Sequence, residues 1–435
     1  MAIVINGSGT ITGLSAGGLP DASVATADIA DNAITLAKMV GGTDGNIISY
    51  DASGDPVAVV TGSSGQVLTS AGAGAPPTFA AAAAGGDTRN FIIDGDFTQW
   101  AEGTAATDVG TGGYNTGMPS LIAGNEYTDG ALSAEQSTDV PTVGASSHQS
   151  KYSILFKCTT ADASLSAAQN VYFWQYITGS DFAHLHQQQV TISFWAKTAS
   201  ANSGDTYGVG LGNSAQNRAY AYAFTPTSTW TKFTHTVTLD TSGTWLFSEA
   251  DKGLRIMVGL ANGGDDLGSA ETWAGDFLIG VTGMSNFMDS TSNEFYISQF
   301  QLVLGSSSPT FLGESVATVQ SQVEYYVERF DVDQDTDCIF AYGSAVGTNT
   351  LRAMEHFSTK KRVYPTITSS AADTWEGSDN AAGDVVANSV SFSMETYYGF
   401  KFNLAQAGTS WTGGRAGRIF RNGTDTTWLL VDARH

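Results

Sequence analysis

The chain has 435 residues, of which 50 are glycine, 11% are aromatic and 14% are charged, and its formal net charge is −23. That length suits two or three domains, and the composition is that of a soluble, β-rich protein. Forty-two acidic residues against 19 basic ones argue against binding nucleic-acid backbones or anionic membranes, both of which select clustered Lys and Arg.

The start, Met1 to Asn6, lacks the basic residues and long apolar stretch of a signal peptide, and no run approaches the roughly 18 apolar residues of a spanning helix. Synthesis in the cytosol is therefore expected. Cys158 and Cys338 lie far apart, have no metal-ligand spacing and are expected to be free.

Residues 1–88 form a repeat-containing segment. Leu19, Val24, Ile29, Ile34 and Met39 recur every five residues, a period that matches neither helix nor strand. One chain can bury little with such a stripe, whereas three wound together can, so a homotrimer is expected. A second repeat, shifted by 20 residues, aligns Gly45, Ile47, Ile48, Gly54, Pro56 and Val59 with Gly65, Val67, Leu68, Gly74, Pro76 and Phe79. Each unit reads as a strand, a glycine turn and a proline-marked return. A hinge is expected at Ala80 to Gly86.

Residues 89–313 read as many short strands separated by Gly, Ser and Asp turns. In VTISFWA, Val190, Ile192 and Phe194 share one face and Thr191, Ser193 and Trp195 the other. The expected fold class is mainly β, with an antiparallel β-sandwich (jelly roll) at its centre. Over 314–330 the period becomes helical, with Val316, Val319, Val323, Tyr326 and Phe330 on one stripe. A small C-terminal β-domain follows over 331–435. It carries nine of the 19 basic residues, including Lys360, Lys361, Arg362, Arg415, Arg418 and Arg421, which are expected on a solvated face, with an anion-binding patch as the alternative.

Several of these runs resemble a known family. SVATADIADNAITLAK is similar to the repeat that opens many phage fibre proteins, and GQVLTSAGAGAPPTF to their spacer. NFIIDGDFTQWAEGT, QQQVTISFWAKTAS, TSTWTKFTHTVTL and FYISQFQLVLGSSSPTFL, then VEYYVERFDVD, resemble in order the first strand, central strands, exit and closing helix of a carbohydrate-binding-module-like jelly roll. HFSTKKRVYPTITSS resembles the opening of the C-terminal β-domain that follows. The helix departs from the pattern, with EYYVER where a cysteine and arginine pair belongs. The resemblance is to phage tail-fibre and appendage proteins. It implies a virion structural protein, assembled in the host cytoplasm and attached to tail or baseplate proteins through its N-terminal segment. Its outer domains would then recognise a host surface glycan or protein.

Sugar binding needs exposed aromatic faces with amides and carboxylates beside them. In VYFWQYI, Tyr172, Trp174 and Tyr176 line one face, and either that face or the one holding Val171, Phe173 and Ile177 must be core. Trp245, Trp273 and Tyr207 are further candidates, placed in loops. Asp331, Asp333, Asp335 and Asp337 alternate in DVDQDTD, and Asp94 and Asp96 form a second acidic pair; structural Ca2+ is the ion either could hold, against the simpler reading of solvated acidic turns. His184 and His186 fall on one face of an expected strand, without a third metal ligand. Gly13 to Gly17 matches a GxSxG pattern outside any strand-to-helix turn, so it carries no nucleophile. Glu249, Asp251, Asp266 and Glu271 are the carboxylates that a glycosidase would have to pair. The sequence thus favours a non-enzymatic receptor-binding fibre. A head fibre, collar or tail decoration without a receptor, and a polysaccharide depolymerase, stand as alternatives.

Overall fold

The computed structural model describes residues 4–5, 11–12, 24–25, 27, 29–30, 41–81, 89–332, 339–379, 383–408, 410–422 and 426–434. The chain divides into two compact units, Met1–Gly85 and Gly86–His435. In the first unit the tandem repeat appears as two hairpins, Ile47–Tyr50 with Pro56–Val59 and Gln66–Thr69 with Thr78–Ala81. A strict 20-residue shift would set Val67 opposite Phe79, but Val67 faces Ala80 and Leu68 faces Phe79. The second return strand starts at Thr78, after Pro76 and Pro77, neither of which has an N–H to donate. Two strands bury little by themselves, and Ile48, Tyr50 and Val60 are exposed. Val24 and Ile29 of the five-residue stripe are exposed as well, while Leu19, Ile34 and Met39 lie outside the described residues.

The second unit opens with a two-sheet sandwich. One sheet has six strands, in the order Thr231–Thr238, Gln189–Thr198, Glu294–Leu304, Ser153–Thr160, Ala131–Ser137 and Ala105–Ala106. The other has five: Ala219–Phe224, Tyr207–Asn213, Lys252–Asn262, Asn170–Thr178 and Ala123–Tyr127. Every pairing in them is antiparallel. The alternation expected for VTISFWA holds, since Val190, Ile192 and Phe194 enter the core between the sheets. They meet Phe173 and Phe156, whose rings stack at 4.9 Å, and Phe295 and Phe300.

The NFIIDGDF run, expected as the first strand, is instead a series of turns laced to the Glu294–Leu304 strand. Phe91 N donates to the Leu302 carbonyl and Phe300 N to that of Gly95, at 2.9 and 2.8 Å. The Asn90 carboxamide accepts from Ile92 N and Leu302 N. A Cβ on Gly95 would fall 1.9 Å from the Phe300 carbonyl oxygen, so only glycine permits this approach.

The helical stripe also ends early. The helix spans Val316–Glu324, capped by the Ser315 hydroxyl; Tyr326 lies in the turn after it and Phe330 in the next strand, Val327–Val332. A nine-residue helix gains little by extension, whereas those residues pair along the Thr427–Asp432 strand, Val327 opposite Asp432 through Val332 opposite Thr427. That ladder wins. Thr366–Ser369 completes a three-stranded sheet. It packs on a seven-stranded sheet ordered Val385–Val386, Trp375–Ser378, Ala416–Arg421, Ile339–Ala345, Thr350–His356, Gly399–Ala405 and Ser389–Thr396. Trp375, Phe400, Phe402, Leu404, Leu429 and Val431 fill the space between.

The basic cluster divides: Lys360 and Arg415 are exposed as expected, but Lys361, Arg362 and Arg421 are buried. Lys361 is fully buried, with Nζ 2.6 Å from Glu328 Oε2 and 2.5 Å from the Glu324 carbonyl oxygen. Arg362 is 5% exposed and donates to the Ala250 carbonyl at 2.6 Å and to that of Ala433. Arg434 donates to the Ser120 carbonyl at 2.8 Å and to Glu102 at 2.6 Å, and lies 4.0 Å from the Tyr114 ring centre. Buried cations need this many acceptors to offset lost hydration, and for Arg362 and Arg434 the carbonyls of Ala250 and Ser120 and the Glu102 carboxylate come from the sandwich. The C-terminal β-domain is thereby fastened to it.

Candidate functional site

The period-two alternation of Asn170–Thr178 sends Val171, Phe173 and Ile177 into the core and Tyr172, Trp174 and Tyr176 to the outer face of the five-stranded sheet. Tyr172 and Trp174 stack at 4.9 Å. Arg255, on the neighbouring Lys252–Asn262 strand, lies 4.8 Å from the Tyr176 ring centre, 5.6 Å from that of Trp174 and 5.2 Å from that of Phe277, and donates to the Tyr176 hydroxyl. Beside Tyr172 runs a polar chain: Asn125 Nδ2 donates to Asn170 Oδ1, and Asn170 Nδ2 to Asp266 Oδ2, each at 2.6 Å. Burial pushes the Asp266 carboxyl up, with the Asn170 hydrogen bond opposing it, and burial also raises the Tyr172 phenol.

The face is only partly open. Tyr172 and Tyr176 are half-buried, and Trp174 and Arg255 are each 9% exposed. Leu278 to Gly280 cross the adjacent strand where Gly208 and Gly210 leave room, and a Cβ on Gly208 would fall 2.6 Å from Gly280 Cα. At the other end Tyr114, Tyr176, Arg362 and Arg434 enclose a cavity of about 20 Å³, room for roughly one water. Two donors in the covered part, Trp174 Nε1 and Arg255 Nε, are buried without an acceptor in the chain. Such donors cost stability unless something accepts from them.

The other candidates disperse. Tyr207 is in a strand and fully buried, with its hydroxyl accepting from Asn202 Nδ2 at 2.9 Å. Trp245 is buried against Phe182 at 4.9 Å, and Trp273 packs edge-on to Trp245 at 6.2 Å, so both close one end of the core instead of forming a platform. His184 and His186 sit in the turns after the short Gly179–Phe182 helix, not on a strand, with His186 edge-on to Phe247. Glu249 and Asp251 lie in a turn where Glu249 accepts from the Tyr325 hydroxyl and Asp251 from Ser248, away from Asp266 beside Asn170. Glu271 lies in the loop whose amide meets the Ala221 carbonyl.

The acidic candidates do not assemble a calcium site from the described side chains. Asp94 accepts from Thr98 N and Oγ1 and from Gln99 N at 2.7–2.9 Å, so both its oxygens organise its own turn, and burial pushes its carboxyl up to about 7. Asp96 pairs with His148 Nε2 at 3.1 Å. Asp331 pairs with Arg329 at 2.8 Å, while Asp333, Asp335 and Asp337 lie outside the described residues, as do Gly13 to Gly17. Among the described residues no group of three or more His, Cys, Asp or Glu is placed to hold a metal ion. Cys158 is free and buried, and Cys338 lies outside the described residues. No helix among them is long and apolar enough to cross a membrane.

No protein-family model and no curated protein matches the chain. Similar solved structures include a complex of the carbohydrate-binding module TmCBM61 with β-1,4-galactotriose, at 10% identity over 50% of this chain and 99% of that one, with a TM-score of 0.25. The enzymatically active domain of bacteriophage CBA120 tailspike protein 4 aligns at 10% identity over 50% of this chain and 21% of that one, TM-score 0.25. The xylan-binding CBM22-1 domain of Paenibacillus barcinonensis Xyn10C aligns at 11% over 47% and 98%, TM-score 0.24. At those scores, what the chain does has to be reasoned from its own geometry. That geometry is of a mainly β protein with an antiparallel jelly-roll sandwich and an aromatic, partly covered outer sheet face.

Proposed function

We propose that the chain is a non-catalytic glycan-recognising protein whose sandwich binds saccharide on the Tyr172–Trp174–Tyr176 face. The observation that carries this is the outward, half-open Tyr172 ring stacked on Trp174 beside the Asn125–Asn170–Asp266 chain. Rings stack on the C–H face of a pyranose, and hydroxyl oxygens supply acceptors. A wider setting fits the same chain: a phage tail fibre or appendage, trimeric through the first unit, attached there to other virion proteins and presenting the sandwich to the host surface. The exposed Ile48, Tyr50 and Val60 support self-association, and weak single sites would gain from threefold avidity.

Binding of the full chain to an array of bacterial surface glycans tests the reading. We expect one glycan class to be retained and Tyr172→Ala to weaken it at least tenfold. Retention of nothing, or an unchanged affinity in Tyr172→Ala, sinks it. A second reading, decoration without receptor binding, is favoured by the 9% exposure of Trp174 and Arg255, and it predicts retention of nothing. Release of reducing ends from a bound polysaccharide would make the chain a depolymerase instead.

A further inference from the structure

Of the nine basic residues of 331–435, seven fall into two sets, with Lys360 and Arg415 exposed outside both. Lys361, Arg362, Arg421 and Arg434 are buried. Arg352, Lys401 and Arg418 instead share the solvent face of the seven-stranded sheet, because their neighbours Leu351, Ala353, Phe400, Phe402 and Ile419 take the core side.

Ladder register then orders that face. Arg418 stands opposite Tyr342. The hairpin sets Gly343 opposite Ala353, so that Tyr342 and Met354 each adjoin the last paired residue of their strands, and Met354 stands opposite Lys401, which faces Ser393. One step along, Ser344, Arg352, Asn403 and Ser391 make a second row, with Arg352 Nε donating to Asn403 Oδ1 at 2.8 Å. Tyr342, on the middle strand of the seven, is 72% exposed and Met354 47%. Arg418 meets Asp384 at 3.4 Å through side chains 38% and 48% exposed, a contact of the weak surface kind, and its Nε is buried without an acceptor.

We propose that this face is a second saccharide-binding surface, separate from the sandwich face, and that its ligand is a uronate-containing, carboxylated polysaccharide. The Tyr342 ring offers a stacking platform for a pyranose. Arg418 and Arg352 flank it with planar donor forks suited to carboxylates, and Ser344, Ser391, Ser393 and Asn403 offer short groups for hydroxyls. From Arg418 to Lys401 is three strand spacings, roughly 14 Å, so the surface spans a polymer and not one sugar. Three cations, Arg352, Lys401 and Arg418, are few for nucleic acid, whose binding depends on many phosphate contacts. Among the described residues, Tyr342 and Met354 are the large apolar side chains in these two rows, less than the apolar stripe of a bilayer-inserting helix.

The test uses the full chain with alginate and polygalacturonate, their carboxyl-reduced neutral counterparts, duplex DNA and anionic lipid vesicles as probes, at 50 and 500 mM salt. We expect retention of at least one uronate polymer, weakened at high salt, with the neutral counterparts, DNA and vesicles not retained. Tyr342→Ala should weaken retention at least tenfold, and Arg352→Gln with Arg418→Gln should do the same while flattening the salt dependence. Tyr172→Ala should leave it unchanged, which separates this surface from the sandwich face. Melting curves matching the parent show that the variants fold. The proposal is overturned by retention of neither uronate polymer, by equal retention of the reduced polymers, DNA or vesicles, or by an unchanged Tyr342→Ala.

Discussion

The two units use the same kinds of residue to opposite effect. In Gly86–His435, Val, Ile and Phe on alternating strand positions disappear between stacked sheets, as Val190, Ile192 and Phe194 do. In Met1–Gly85, Ile48, Val60, Val67 and Leu68 sit on or beside two-stranded hairpins and stay exposed. Period-two patterning therefore specifies a strand, and only a second layer turns it into a core. The difference teaches that one unit buries its apolar side chains within its own chain and the other leaves apolar surface exposed.

The largest effect on this contrast should come from the buried ion pair inside the second unit. Lys361→Met strands Glu328, which is 5% exposed, and should cost about 3–5 kcal/mol in chemical denaturation. Adding Glu328→Leu should restore most of that loss. A single variant as stable as the parent would show that the pair does not hold Lys361 against the Val327–Val332 strand.

A smaller effect concerns Asp94. Burial raises its carboxyl from 3.8 to about 7, so between those values the unfolded chain has released a proton that the folded chain keeps. Stability should therefore fall as pH rises from about 4 to 7. Asp94→Asn, which suits the positive φ of 55° at that position, should flatten that slope. A slope unchanged in the variant would assign it to other groups.

In the first unit, Ile48→Ser and Val60→Ser should alter the melting of the second unit by less than about 0.5 kcal/mol. By light scattering they should nevertheless lower the solution mass of the full chain. A chain starting at Arg89 should be a monomer. A full-length monomer would remove the case for self-association through the exposed apolar residues.

The strands of the sandwich were legible because alternation of side chains is local. The face-sharing of Tyr172, Trp174 and Tyr176 followed from the same period, as did the separation of Phe173 onto the other side. Which of those two faces is core was not legible, since it depends on which sheet lies opposite. Trp245 and Trp273 lie in loops as expected but pack against the core, whereas Tyr207 was misplaced because turn-rich flanks resemble a loop until a neighbouring strand pairs with them. The helix was overextended because Tyr326 and Phe330 fit its period, and the competing ladder to Thr427–Asp432 lies about a hundred residues away in sequence.

By itself the sequence determined a mainly β chain with a repeat-bearing first unit, a sandwich and a further β-domain, because strand periodicity and turn chemistry act over a few residues. Only the tertiary structure decided that Lys361, Arg362 and Arg434 are buried clamps while Arg352, Lys401 and Arg418 share an open sheet face. Local sequence cannot distinguish those fates, because the acceptors that make burial of a cation tolerable, Glu102 and the carbonyls of Ser120 and Ala250 among them, come from residues distant along the chain.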